Sequence, residues 1–364
     1  MREALVEAAR GLGRTHPNPS VGAVIVNDGV IVGRGFHKKA GAAHAEVMAL
    51  RAAGKKARGA TAYVTLEPCG HQGKTPPCSV ALLKAGIARV VYASRDPNPL
   101  VNGRGLRELK THGVLINGPL LQTDADALNR PFFKFMQTGL PFVTLKVAST
   151  LDGKLATAAG ESKWLSSEPS RLRVHQLRNR VDAILIGANT ARLDDPLLTT
   201  RLPRTVVRNA VRIVVDGSLS ISPRSQLVKT ARQVRTIVAT MAKDGSARVN
   251  ALKKVGVEVW SFKRSAAGID VTALLRRVAQ EKLLHVLVEG GAQIHAQFIK
   301  AGQVDELVQF VVPRLLGDEA KTWSGRLNIE RIQNLVKLQI QRVERVGQDV
   351  MIVSSLEPAM SARA

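Results

Sequence analysis

The sequence predicts an α/β protein built as two layered domains. Three observations carry that reading. Short apolar strand runs alternate with helical stretches through both halves, glycines and prolines mark the junctions, and 364 residues suffice for two cores of ordinary size. The boundary is expected near Gly139, giving domains over 1–139 and 140–364. A polar, amphipathic stretch from Gln122 to Thr138 ends there, and the strand PFVTLKVAS begins just beyond it.

In the first domain, residues 3–13 carry the pattern of a short helix. VGAVIVNDGVIVGRGFH reads as a β-hairpin turning at Asn27-Asp28-Gly29, residue types that tolerate the positive φ of a tight hairpin turn. AHAEVMALRAAG is a helix stopped by Gly54, and ATAYVTLEP is a strand. PPCSVALLKAG is a second helix, opened by prolines at positions that need no N–H donor and closed by Gly86. ARVVYAS, GRGLRELKTHG and VLING follow as strand, helix and short strand, completing a domain layered on one sheet. In the second domain, strands are expected at PFVTLKVAS, DAILIGA, VRIVVDG, RTIVAT, VEVWSF, HVLVEGG and ELVQFVVP, with helices at 168–180, 245–255, 270–282 and 292–302. Neither an internal repeat nor a low-complexity segment is present.

Composition excludes several classes. Hydrophobic residues make up 45% of the chain, yet no apolar run approaches the ~20 residues of a membrane helix, so a soluble globular protein with no membrane partner is expected. MREALVEAARGLG has charges spread through it and lacks the apolar segment of a secretory leader. Two cysteines cannot make a disulfide scaffold, which points to a reducing cytoplasm. The net charge of +24 raises nucleic acid as a partner. Against that, the excess is spread: residues 1–140 hold 19 Lys+Arg against 9 Asp+Glu, and residues 141–364 hold 34 against 20. Aromatics are only 4%, too few for base-stacking platforms. Anionic small molecules suit this charge better, with no nucleic acid expected.

The chemistry-bearing residues of the first domain are His44, Glu46, Cys69 and Cys78. A catalytic zinc takes three Cys or His ligands and leaves its fourth position to water, whose pKa it lowers to about 7. His44, Cys69 and Cys78 supply such a set. Glu46, two residues beyond His44, is a non-ligand carboxylate able to take a proton from water and return it to a leaving amine. The alternative is two small core thiols and a surface histidine. It weakens because the only two cysteines fall in one loop-helix unit, after a strand and downstream of a His-x-Glu. His-x-Glu followed by Pro-Cys is the zinc deaminase signature, and a deaminase acting on nucleic-acid bases is the alternative this signature leaves open. A fourth protein ligand would close the water position, so His71 is left out of the set.

The spacing of the cysteines departs from the usual Pro-Cys-x-x-Cys: the eight residues GHQGKTPP separate them. With HPNPSVG (16–22), HAE (44–46), EPCGHQGKTPPC (67–78) and DPNP (96–99), the chain resembles the bifunctional riboflavin-biosynthesis deaminase-reductase family, RibD. The resemblance continues through LKVASTLDGKLAT (145–157), GESKW (160–164), GANTARLDDPLLTTR (187–201) and VEGGAQIHAQFIKAGQVDEL (288–307), nearly the whole chain. It implies a cytidine-deaminase-like three-layer α/β domain followed by a dihydrofolate-reductase-like α/β domain. It implies one zinc held by His44, Cys69 and Cys78, with Glu46 as the proton shuttle, and NADPH in the second domain. The implied reactions are deamination of 2,5-diamino-6-(5-phosphoribosylamino)pyrimidin-4(3H)-one, then reduction of the ribosyl chain of the product aminouracil to ribityl. The family also forms homo-oligomers.

Carried across position by position, the resemblance places Asn18, His37, Lys74, Asp96 and Asn98 around the first substrate. From the residues alone, Asn18, Asp96 and Asn98 read equally as rigid turns beside prolines, and Lys74 as a loop charge. In the second domain it places Ser149, Ser162, Trp164, Thr190 and Asp194 at NADPH. Gly291, Ala292, Gln293, Ile294, His295, Ala296 and Gln297 fall at its phosphates, and Arg178, Leu198, Arg201 and Glu289 at the substrate. A strand, Gly290-Gly291 and a helix are a frame for phosphate, or only a tight turn. Arg178 and Arg201 match phosphate geometry, or are ordinary charges of a basic protein. No GxGxxG opens a βαβ unit, which argues against a Rossmann domain.

Overall fold

Asp28 and Gly29 turn the chain with φ of 49° and 77°. The hairpin they close, β1 (Gly22–Asn27) and β2 (Val30–Phe36), begins the first sheet. The computed structural model describes residues 1–70, 76–99, 101, 103–161, 165–203, 207–266 and 268–356. They form two units, one over Met1–Leu140 and one from Pro141 onward.

The first unit adds β3 (Thr61–Leu66), β4 (Arg89–Ser94) and β5 (Leu115–Asn117) to the hairpin, in the order β2-β1-β3-β4-β5. β1 is antiparallel to β2 and β3, while β3, β4 and β5 run parallel. The register fixes where the site lies. Gly22 pairs with Phe36, Ala23 with Val64, and Leu66 with Ser94. The start of β1 and the ends of β2, β3 and β4 therefore meet at one edge of the sheet, the usual place for a ligand in an open α/β sheet.

The helices are α1 (Arg2–Ala9), α2 (Ala45–Ala53), α3 (Cys78–Lys84), α4 (Arg104–Thr111) and α5 (Gln122–Thr138). The helix expected over 3–13 stops at Ala9, because the bonds of Arg10 and Gly11 reach back only three residues and Gly13 takes a φ of 73°. α2 lies unusually close to β2. A Cβ on Gly33 would fall 2.3 Å from the Ala49 carbonyl, and one on Gly35 would fall 2.4 Å from that of Ala45. Ala45, Ala49 and Ala53, spaced by one helical turn, present the matching small face and are buried. The stretch from Gln122 to Thr138 is helical but bends at Asn129 (φ −115°), just before Pro131, which breaks the helical bonding.

The second unit contains β6 (Phe142–Thr150), β7 (Lys154–Ala156), α6 (Glu168–Arg178), β8 (Ala183–Gly187), α7 (Ala188–Asp194), β9 (Val211–Val215), α8 (Gln226–Lys229) and β10 (Thr236–Thr240). It continues through α9 (Ala247–Lys254), β11 (Glu258–Ser261), α10 (Val271–Gln280), β12 (His285–Gly290), α11 (Ala292–Lys300), β13 (Glu306–Val312), β14 (Lys321–Thr322), β15 (Leu338–Val346) and β16 (Asp349–Leu356). Nine strands form one sheet, β11-β10-β9-β8-β12-β6-β13-β16-β15, parallel except where β16 pairs antiparallel with β13 and β15. β12 inserts between β6 and β8, so the chain order reverses there, the kind of point at which an open α/β sheet leaves a crevice. β7, β14, β15, β16, α7 and α8 go beyond the elements expected from sequence. The period-two pattern of β15 is broken by a register shift between Ile340 and Arg342, which hides the strand from a periodicity reading.

Candidate active site

His44 caps the N-terminus of α2 and Cys78 is the first residue of α3. Cys69 follows the end of β3 through Glu67-Pro68. Their ligand atoms lie within 4.8 Å of one another. His44 Nδ1 is 3.2 Å from Cys78 Sγ and 3.7 Å from Cys69 Sγ, and the Cys78 backbone N–H donates to Cys69 Sγ at 3.4 Å. Cys78 donates to Cys69, and that bond, with His44 alongside, pulls the Cys69 thiol well below its ordinary range toward the thiolate, against burial. The same interaction, with burial, pushes Cys78 up. An anionic sulfur, a second thiol and an imidazole converging this closely suit zinc, and three ligands leave one tetrahedral position. Glu46 is 3% exposed and hydrogen-bonded to Cys78. Burial, and then the Cys69 charge, raise its pKa to about 7.

Among the described residues, the HPNPS loop beside this cluster is fixed by a side chain from elsewhere in the first unit. Asn129, at the bend of α5, accepts from Ser20 N at 2.8 Å and donates to Ser20 O at 3.0 Å, pinning the HPNPS loop. Within that loop Asn18 Nδ2 meets His37 Nε2 at 3.1 Å, and His37 Nδ1 faces the Ala43 carbonyl at 3.1 Å. A carbonyl only accepts, so Nδ1 carries the proton and Nε2 is the acceptor from Asn18. His37 is 3% exposed, its ring edge-on to His44 at 5.3 Å. The structure thus puts His37 behind Asn18. Asp96 and Asn98 follow the end of β4; Asp96 Oδ1 accepts from Asn98 N at 2.9 Å, and burial lifts the Asp96 pKa to about 6. Lys74 lies outside the described residues.

Glu67 is given no role by the sequence reading, yet it organises this edge. Buried at 3%, it accepts from Gly103 N at 2.6 Å and so ties the loop ahead of α4 to the cysteine loop. The contact tightens at Gly105, where a Cβ would fall 1.9 Å from the Pro68 carbonyl. Gly105→Ala is expected to destabilise the first unit by about 1–3 kcal/mol and to lower zinc content. Thermal unfolding and metal analysis of the variant check it; unchanged zinc content would disconnect this contact from the ligand loop.

In the second unit a cavity of about 310 Å³ opens against the middle of β6 and the end of β12, between α6 and α7. Arg178, Arg201, Glu289, Thr190, Asp194, Gly291 and His295 are in its walls. Leu198 is not; it is buried at 4% in the core beneath β8 and β9. Ser149 is wholly buried on β6 and accepts from Gln309. Of the α11 run, Ile294 and Ala296 turn into the core, Gln293 is exposed, and Ala292 and Gln297 are half-buried, so Gly291 and His295 alone reach this cavity. Ser162 and Trp164 lie outside the described residues.

The expected phosphate clamp at Arg178 is otherwise engaged. Its Nε and Nη2 donate to the two oxygens of Glu289 at 2.6 and 2.8 Å, and its Nη1 to the Thr199 carbonyl. Lys146, unmarked by the sequence reading, lines the cavity with its Nζ 3.5 Å from Glu289. Burial would raise the Glu289 pKa, but Arg178 and Lys146 bring it down to about 2. His175, also missed, accepts from Arg201 N at 3.3 Å; burial, Arg178 and Arg201 depress its pKa to about 4. Arg201 is the exposed cation at this mouth.

Two family models match the chain: the cytidine and deoxycytidylate deaminase zinc-binding region over residues 1–94, and the RibD C-terminal domain over residues 141–352. Riboflavin biosynthesis protein RibD of Aquifex aeolicus is 43% identical over 352 residues, covering 97% of this chain and 96% of its own. Among solved structures, Acinetobacter baumannii RibD superposes with a TM-score of 0.89 at 36% identity, covering 98% of this chain and 97% of its own. The diaminohydroxyphosphoribosylaminopyrimidine deaminase/5-amino-6-(5-phosphoribosylamino)uracil reductase of Thermotoga maritima does so with a TM-score of 0.87 at 35% identity, over the same shares of both chains.

Proposed function

The chain belongs to the RibD family of bifunctional riboflavin-biosynthesis enzymes, and from that membership we propose how its residues divide the work. The first unit is the deaminase, acting on 2,5-diamino-6-(5-phosphoribosylamino)pyrimidin-4(3H)-one. The second is the reductase, converting the ribosyl chain of the product aminouracil to ribityl. The alternative of a deaminase acting on nucleic-acid bases has no use for the second unit, which the RibD C-terminal model matches over 141–352. When bound, zinc supplies a Lewis acid that activates water, and NADPH supplies a hydride.

The observation that carries the deaminase reading is Glu46, buried beside three convergent ligands. A carboxyl group with a pKa near neutrality can take a proton from water and give it to the departing amine, so water enters and ammonia leaves with Glu46 restored. Asn18, Asp96 and Asn98, on the same sheet edge, bind the pyrimidine and its phosphoribosyl group, and Lys74 joins them; His37 holds Asn18 in place. In the second unit Lys146 and Arg201 face the ribosyl phosphate, and Glu289, oriented by Arg178, faces the substrate beside them. Thr190, Asp194, Gly291 and His295 line the NADPH side. The fit rests on a floor without side chains at Gly290-Gly291 and on cations at the mouth.

The deciding experiment combines zinc analysis with two assays on one preparation: ammonia release from the diaminopyrimidine, and NADPH oxidation with the aminouracil supplied. Removing zinc with a chelator is expected to abolish ammonia release and spare NADPH oxidation. Deamination by metal-free protein would sink the zinc reading.

We place the enzyme in the cytoplasm as a homo-oligomer. Both cysteines are free thiols, and among the described residues no helix is long and apolar enough to cross a membrane. β15 is an edge strand exposing Ile340 (61%) and Val343 (59%), with Ile332 (85%) just ahead of it, a surface that pairing with a second copy would cover. Val343→Lys is expected to shift the protein toward monomer in sedimentation; an unchanged oligomer, or a wild-type monomer, would remove this edge from consideration.

A further inference from the structure

His295 stands in the first turn of α11, 3% exposed, in the wall of the second unit's cavity. Its Nδ1 is 2.8 Å from the Trp323 carbonyl oxygen. A carbonyl has no proton to give, so Nδ1 carries the hydrogen and Nε2 is left with a lone pair. That Nε2 is buried with no hydrogen-bond partner among the described residues, a costly state for a polar atom in the wall of a cavity. Its surroundings show where a partner would sit. A Cβ built on Gly290 would lie 4.0 Å from His295 Nε2 and 3.9 Å from Thr190 Oγ1, so both polar atoms converge on the same glycine floor. Burial, with Lys146 nearby, keeps the ring neutral down to about pH 4, against the effect of the Trp323 bond.

An acceptor lone pair is wrong for phosphate, whose oxygens also only accept. Resting on the reductase reading of this unit, we infer that His295 Nε2 accepts a hydrogen bond from a neutral N–H or O–H at the reacting end of a bound reactant, and that it is not a phosphate contact. The reacting ends offer such a donor in two places: the carboxamide of the nicotinamide ring and the hydroxyls of the ribosyl chain. Either way, His295 fixes the orientation of a reacting end of its ligand, a task different from that of the charged groups at the mouth.

The test uses the full chain, with His295→Phe, which removes the acceptor at similar bulk, and His295→Gln, which returns an acceptor near the Nε2 position. Binding of NADPH is compared with that of 2′-phospho-ADP-ribose, which keeps the phosphates and lacks the nicotinamide; the KM for the ribosyl substrate is measured alongside. If the donor is the carboxamide, H295F weakens NADPH about tenfold, leaves 2′-phospho-ADP-ribose unchanged, and H295Q recovers most of the loss. If it is a sugar hydroxyl, both nucleotides bind normally and the KM rises about tenfold in H295F, again with recovery in H295Q. Equal weakening of the two nucleotides, no change in any quantity, or an H295Q variant as impaired as H295F overturns the inference. A wild-type chain with no affinity for NADPH overturns the cofactor reading and this inference with it, whereas normal wild-type affinity with an indifferent H295F overturns this inference alone.

Discussion

Glu46→Gln is expected to lower ammonia release by about 10²–10⁴-fold, the range for a lost acid-base catalyst. NADPH oxidation on supplied aminouracil should continue at the wild-type rate in the same preparation. Glutamine keeps the shape and buries an amide in place of a carboxyl group, so α2 and its close packing on β2 have no reason to move. His44, Cys69 and Cys78 are untouched, so zinc content should stay near one per chain. The effect is large because Glu46 has no nearby substitute. The neighbouring carboxyl groups act elsewhere: Glu67 is bound to Gly103 N, and Asp96 closes its own turn on Asn98. Ammonia release and NADPH oxidation falling together would show that the two units do not work independently.

The metal cluster is legible from sequence because its spacing rules are local. His44 is the N-cap of one helix and Glu46 lies in its first turn, and Cys69 and Cys78, with eight residues between them in the chain, are tied by a backbone N–H to sulfur contact. The cavity of the second unit is not legible in this way. Lys146, Arg178 and Glu289 come from three elements, and the Arg178–Glu289 pair is 111 residues apart in sequence, so only the insertion of β12 between β6 and β8 brings them together. The family resemblance marks Arg178 and Glu289 as site residues but says nothing of their union. Charge misleads in another way at Arg212, a residue that reads as an ordinary cation within VRIVVDG. It is wholly buried, and its guanidinium is satisfied by the carbonyls of Leu197, Leu227, Thr230 and Val234 and by hydroxyls of Thr230 and Thr236. A count of basic residues sees net charge; it cannot see which cation has been spent on holding loops.

Glu289→Ala is expected to cost the second unit about 3–5 kcal/mol and to abolish reduction, while leaving deamination intact. The Glu289 and Arg178 side chains are 5% and 13% exposed, and the pair is bidentate, with Lys146 as a second cation on the same carboxylate. Truncating the acid strands a buried guanidinium, and that loss exceeds the net worth of the intact pair. Denaturation followed by NADPH oxidation, with ammonia release reporting on the first unit, separates the two effects. Glu289→Gln keeps the volume and two hydrogen-bonding atoms, so it should fold better than the alanine variant and still reduce poorly, because Lys146 and Arg178 would face a neutral group. The sign of the pH dependence follows from the depressed acid. Its pKa falls from an ordinary 4.5 to about 2, so its contribution is complete above pH 4.5 and is lost as pH drops through about 2. Wild-type stability of the second unit should therefore decline over that window by more than that of Glu289→Gln. Parallel acid-unfolding curves for the two proteins would show that Arg178 and Lys146 do not hold this carboxylate ionised, and the electrostatic account of the cavity would fall with it.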